Sequence, residues 1–118
     1  MAKFVFRKDE PNRTVTWPCK IGVPQPDGKV EEQTVTARFR LVAPERMAEA
    51  LRPANLMGAN GDVLQLRECL AGFDDLKDEN GQLVTDDTAI PLMLSLPYAV
   101  RGLARGYWDM VEGRLAKN

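Results

Sequence analysis

The stretch from Asp74 to Gly81, Asp-Asp-Leu-Lys-Asp-Glu-Asn-Gly, gathers the chain's oxygen ligands most densely. Counted from Leu76, the residues Asp78, Asn80, Gly81 and Asp87 fall at positions three, five, six and twelve of a calcium-binding loop. Leu76, however, stands where the first carboxylate ligand belongs, and Asp87 replaces the bidentate glutamate. A solvated turn is the simpler reading. Pro26-Asp27 and, much later, Asp75-Leu76-Lys77 resemble the pieces of a magnesium nuclease core, in which two carboxylates hold the metal and a lysine steadies charge. The spacing is loose, and such short pieces arise readily by chance.

The 118 residues contain no histidine, which removes the commonest general base, the Ser-His and Cys-His nucleophile pairs and the commonest nitrogen ligand for metals. Cys19 and Cys69, without further Cys or His, cannot form a cysteine-rich zinc site, and they read as core thiols rather than a disulfide or a reactive cysteine. No catalytic residue, metal or cofactor is therefore expected. Sixteen basic and 17 acidic side chains leave a net charge of -1. Residues 1–43 carry 8 basic and 5 acidic groups, residues 44–118 carry 8 and 12, and neither balance makes the dense basic face of a nucleic-acid domain. The N-terminus has three apolar residues between Lys3 and Arg7, too few for a signal peptide or a membrane span, so a cytoplasmic protein is expected.

These residues must be positioned by a single domain spanning 1–118, of α+β class, with a β-hairpin region at 1–43 and a helical region at 44–118. Between Thr14 and Ile21, apolar Val15, Trp17, Cys19 and Ile21 alternate with polar positions, as in a half-buried strand. Pro18 cannot donate to a ladder, which makes this an edge strand or marks a bulge. After the Pro26-Asp27-Gly28 turn, Val35, Ala37, Phe39 and Leu41 resume the alternation. Phe4-Val5-Phe6 is a candidate third strand, giving an antiparallel sheet of two to three strands.

About four helices should follow. Pro44 opens the first, with Met47, Ala48 and Leu51 on one face and Pro53 as its stop; Pro53 to Gly61 reads as a loop. Asp62 caps a second whose apolar positions Val63, Leu66, Leu70 and Phe73 run to a stop at Gly72. Thr85-Asp86-Asp87 supplies caps and N-terminal negative charge for a third through Leu96. The fourth starts at Pro97 behind a Ser95 cap and carries a stripe of Val100, Leu103, Tyr107, Val111 and Leu115. Gly102 and Gly106 in this last helix imply a close crossing, inside the domain or between subunits, because each glycine costs about 1 kcal/mol relative to alanine.

A binding surface is the remaining functional expectation. Leu92, Met93, Leu96, Tyr98, Tyr107 and Trp108 offer more apolar surface than a domain of this size needs for its own core, and Tyr and Trp dominate interface energetics. Self-association through the edge strand or the last helix is also expected.

Several segments together point further: the Trp17-Pro18 strand with its Pro-Asp-Gly loop; Val35-Thr36-Ala37-Arg38-Phe39-Arg40 leading into a short helix; Gly72-Phe73-Asp74-Asp75-Leu76-Lys77-Asp78-Glu79-Asn80-Gly81; Leu96-Pro97-Tyr98-Ala99-Val100; and the Lys117-Asn118 terminus. In this order they resemble the small tail assembly chaperones of long-tailed, siphovirus-like bacteriophages, with Phe73 where those proteins often have Trp. The resemblance covers most of the chain. It implies a non-catalytic protein of the infected or lysogenic host cytoplasm that binds the tape measure protein, helps recruit tail tube subunits and is absent from the mature virion. The competing classes are another phage tail structural or connector protein, such as a tail terminator, and a small metal-dependent nuclease.

Overall fold

The computed structural model describes residues 2–6, 8, 13–57 and 60–113. Seven elements follow in the order β1 (Thr14–Pro24), β2 (Val30–Arg40), α1 (Pro44–Met57), α2 (Gly61–Cys69), β3 (Leu70–Asp74), α3 (Asp86–Leu94) and α4 (Pro97–Val111). The α+β class and the N-terminal hairpin are as the alternation predicts. β1 and β2 pair antiparallel from Thr14 opposite Arg40 to Pro24 opposite Val30. Cys19, Ile21, Ala37 and Phe39 are buried on their shared inner face.

The third strand is not Phe4-Val5-Phe6, which lies outside any strand with its side chains exposed. It is Leu70–Asp74, antiparallel to β2, in a sheet of order β1-β2-β3. The apolar spacing from Leu66 to Phe73 suits a helix, but the chain leaves helical geometry after Cys69. Leu70 is extended at φ -80° and ψ 119°, and its amide donates to Leu66 O to close the helix. A strand there satisfies its backbone on β2 while burying Leu70 and Phe73 in the same core.

Other boundaries also shift. α1 continues through Pro53 to Met57, so most of the expected loop is helix. Proline removes one helical amide, yet the helix continues past it, and Gly61 of α2 lies close to Ala54, where a Cβ at Gly61 would be 3.5 Å from Ala54 Cβ. Asn60 rather than Asp62 caps α2, its Oδ1 accepting from Asp62 N at 3.0 Å and Val63 N at 3.3 Å. Ser95 ends α3, its hydroxyl donating to Leu92 O, and Leu96 is the residue before α4. Met110 takes the buried place expected of Val111, which is exposed. Leu115, the Lys117-Asn118 terminus and Asn12 lie outside the described residues.

One core unites sheet and helices. Phe39, Leu66, Leu103 and Tyr107 are at its centre. Tyr107 meets Phe39 edge to face, with ring centroids 5.5 Å apart, and its hydroxyl accepts from the Val42 amide at 3.3 Å. The two glycines of α4 are explained by this layer. A Cβ at Gly102 would stand 2.6 Å from Lys20 O, and one at Gly106 would collide with Cys19 Sγ. The close crossing is thus within the domain, and it is helix on strand.

Candidate functional site

The sheet's inner face continues beyond the α4 contact into an open cleft of about 350 Å³. Its floor is Ile21, Val23 and Val35; Leu76 closes one side, and Met93, Leu96, Tyr98 and Ala99 form the wall at the α3–α4 junction. The rim carries Gln33, Thr34, Thr36, Asp74 and Asp75. The cleft borders the corner at which α3 ends at Leu94 and α4 begins at Pro97. Leu96 and Tyr98 are half-buried and lie outside the main core cluster, whereas Met93 packs against it.

Three of the six residues expected to bind a partner, Met93, Leu96 and Tyr98, therefore share one site. Leu92 is exposed but is not part of the cleft lining. Trp108 is 40% exposed, with its ring edge to face on Tyr107 and its Nε1 donating to Gln65 Oε1 at 3.0 Å. Gln65 is buried and donates in turn to Ala104 O at 3.1 Å, so Trp108 is tethered to α2. Tyr107 is a correction: at 2% exposure it is a core residue with no surface to offer. Helical phase explains the split, because Tyr107 continues the Val100–Leu103 stripe and Trp108 is turned about 100° from it.

The floor of the cleft and the group that fixes its border were not apparent as a site in the sequence. Arg38 projects from the polar face of β2, yet it is half-buried. Its Nη2 donates to Phe73 O at 3.1 Å and to Asp86 Oδ2, while Nε lies 2.9 Å from Asp74 Oδ1 in an ion pair without hydrogen-bond alignment. Asp86 also accepts the Phe73 amide on Oδ1 at 3.0 Å. That amide bond, and then Arg38, hold the Asp86 carboxyl below its ordinary range, and the hydrogen bond to Asp86 raises the Arg38 guanidinium. Gly72 makes room: a Cβ there would overlap Asp86 and come within 2.6 Å of Arg38 Nη2. Asp86 is thus both first-turn charge for α3 and the clasp that joins α3 to the edge of β3. A glycine in register with an arginine was the available signal.

The acidic turn is built on its own backbone. Asp78 Oδ1 accepts from Asn80 N at 2.8 Å and Gln82 N at 3.0 Å, Gly81 has φ 78°, and Val84 N donates to Leu76 O at 2.8 Å. Asp87 is drawn to the Thr85 hydroxyl at 2.5 Å. Among the described residues, no group of three or more Cys, Asp or Glu is arranged to hold a metal. Asp27 accepts the Lys29 amide at the hairpin tip, at 2.9 Å, and lines a different surface from Asp75. The nuclease constellation is therefore not assembled.

Cys19 and Cys69 are free and buried, and burial pushes both thiols up to about 12. They are core thiols, as expected. No helix among the described residues is long and apolar enough to cross a membrane. Comparison of the chain with protein-family models, with curated proteins and with solved structures finds no match.

Proposed function

We propose that this chain is a non-catalytic assembly chaperone of a long-tailed bacteriophage, binding the tape measure protein and promoting assembly of the tail tube in the host cytoplasm. The observation that carries the reading is the cleft: an apolar floor on the sheet, walled by Met93, Leu96 and Tyr98 and left open among the described residues. A long, largely helical client exposes apolar side chains at three- and four-residue spacing, and a cleft of this kind shields one such group at a time. Methionine on the wall adapts to varied side chains. The order of sequence segments supplies the phage context.

The test is co-expression with the tape measure protein of the same genome. Wild-type chain is expected to keep that protein soluble and to co-purify with it. Leu96→Ser with Tyr98→Ser should weaken recovery by about 1–3 kcal/mol of binding, as for a hot-spot pair, without unfolding the domain. A tape measure protein that stays insoluble regardless would defeat the proposal. So would recovery of this chain as a stoichiometric part of finished tails, the outcome expected of a terminator or connector.

A further inference from the structure

The sheet's two edges are treated differently. On β3 the outward Phe73 amide is taken by Asp86, so α3 closes that edge. On β1, among the described residues, no strand pairs on the side away from β2. The later part of this strand lies against α4, where the backbone of Gly102 meets Lys20 O. Along the first part, Thr14 to Pro18, no backbone partner lies on the outer side among the described residues. Proline is tolerated where the amide faces away from the partner strand, and antiparallel strands alternate in this respect, so the Thr14 and Thr16 amides face outward with Pro18.

Directly before this edge in sequence stands a segment with the opposite deficiency. Phe4, Val5 and Phe6 are 91%, 72% and 79% exposed, three successive strand-favouring side chains without cover. Beside the open edge, Val15 and Trp17 are only half-buried on the inner face. Within one chain the segment lies off the sheet, and among the described residues no strand pairs with the outer edge of β1.

We infer that residues 2–6 of one copy add as a strand to the Thr14–Pro18 edge of a second copy, and that the exchange is reciprocal. The lengths match at five residues each. Strand alternation places Phe4 and Phe6 together on one face, where they cover Val15 and Trp17, and Val5 on the other. Segment and edge are separated by only seven residues, 7–13, so two copies meeting at their β1 edges each carry the segment to the other under a single two-fold axis. Neither copy then retains the unpaired first half of β1. The inference does not depend on what occupies the cleft.

Light scattering and sedimentation equilibrium of the full chain test it. Wild type is expected to reach twice 13.2 kDa as concentration rises, and Phe4→Ser with Phe6→Ser to stay at 13.2 kDa, with an unfolding midpoint equal to that of wild type at dilutions where wild type is monomeric, since both side chains are exposed in the single chain. Thr16→Pro, which removes an outward amide, should also give a monomer; the serine variant decides the matter if the proline variant fails to fold. Amide exchange should protect residues 4–6 only in the dimer. Three results would overturn the inference: a wild type that is monomeric throughout, a dimer that survives both serines, or protection of residues 4–6 in a monomer.

Discussion

Helix α4 and strand β1 meet closely along one stretch and part company along the next. From Cys19 to Ile21 the strand runs against Gly102 and Gly106, where even a methyl group would strike Lys20 O or Cys19 Sγ. One turn earlier on the helix, around Tyr98 and Ala99, the same two elements and the α3 corner border the cleft. The seam brings backbone to backbone through missing side chains, leaving no room for a ligand. The cleft is lined by Leu96 and Tyr98, half-buried and outside the main core cluster. A closely packed seam beside an incomplete apolar surface suits the binding role proposed above, because pre-organisation lowers the ordering cost of association.

The heaviest blow to the seam should come from Tyr107→Ala. It removes a fully buried ring and the acceptor of the Val42 amide, for an expected loss of about 3–5 kcal/mol in denaturant unfolding. Trp108→Ala, on the neighbouring and half-open position, should cost distinctly less. Equal losses for the two would show that the phase of α4 has been misassigned.

Gly102→Ala comes next. Alanine favours the helix by about 1 kcal/mol, but the added Cβ would sit 2.6 Å from a backbone carbonyl that cannot rotate away. A net destabilisation of about 1–3 kcal/mol is expected, typical of overpacking. A stabilised variant would mean that helix and strand are not in register there.

Asp86→Asn tests the border of the cleft and should cost about 1–2 kcal/mol, because Arg38 loses its charged acceptor while an amide oxygen remains for Phe73. The pH dependence has a definite sign. The native carboxyl is held below its ordinary 3.8, so its contribution is complete above that value and is lost as pH falls through the lowered native pKa. Wild type should therefore lose stability on acidification below about pH 4, and the asparagine variant should show a shallower fall. Identical acid limbs would remove Asp86 from the account.

The smallest effect on the fold is expected in the cleft itself. Tyr98→Ser should change stability by less than about 1 kcal/mol, the usual range for a side chain outside the core, in contrast to the loss of client binding that the proposed function requires. A large loss of stability there would make the cleft wall part of the core.

Local pattern alone was enough for the hairpin, because a period of two with a buried face leaves little freedom of register: Cys19 and Ile21, Ala37 and Phe39 lie where the alternation places them. Pro18 narrowed β1 to an edge or a bulge, since a missing amide cannot serve a central ladder, and the sheet order decides for the edge. The α4 stripe from Val100 to Tyr107 and the demand of two glycines for a close neighbour were equally legible. Which element that neighbour would be was not, because small residues report proximity without naming the partner.

Tertiary structure alone decided the stretch from Leu66 to Phe73, whose apolar spacing fits a helix throughout but whose second half is a strand. Only the presence of β2 alongside, offering backbone partners and a core face together, tips that balance at Leu70. The same holds for Arg38 and Asp86, which lie 48 residues apart in sequence and look like ordinary solvated charges until β3 and α3 bring them together across Gly72. Periodicity and capping are properties of neighbours along the chain and can be read from it. Pairings across the fold depend on which surfaces compete for the same partner, and that competition is resolved only when the whole chain is compact.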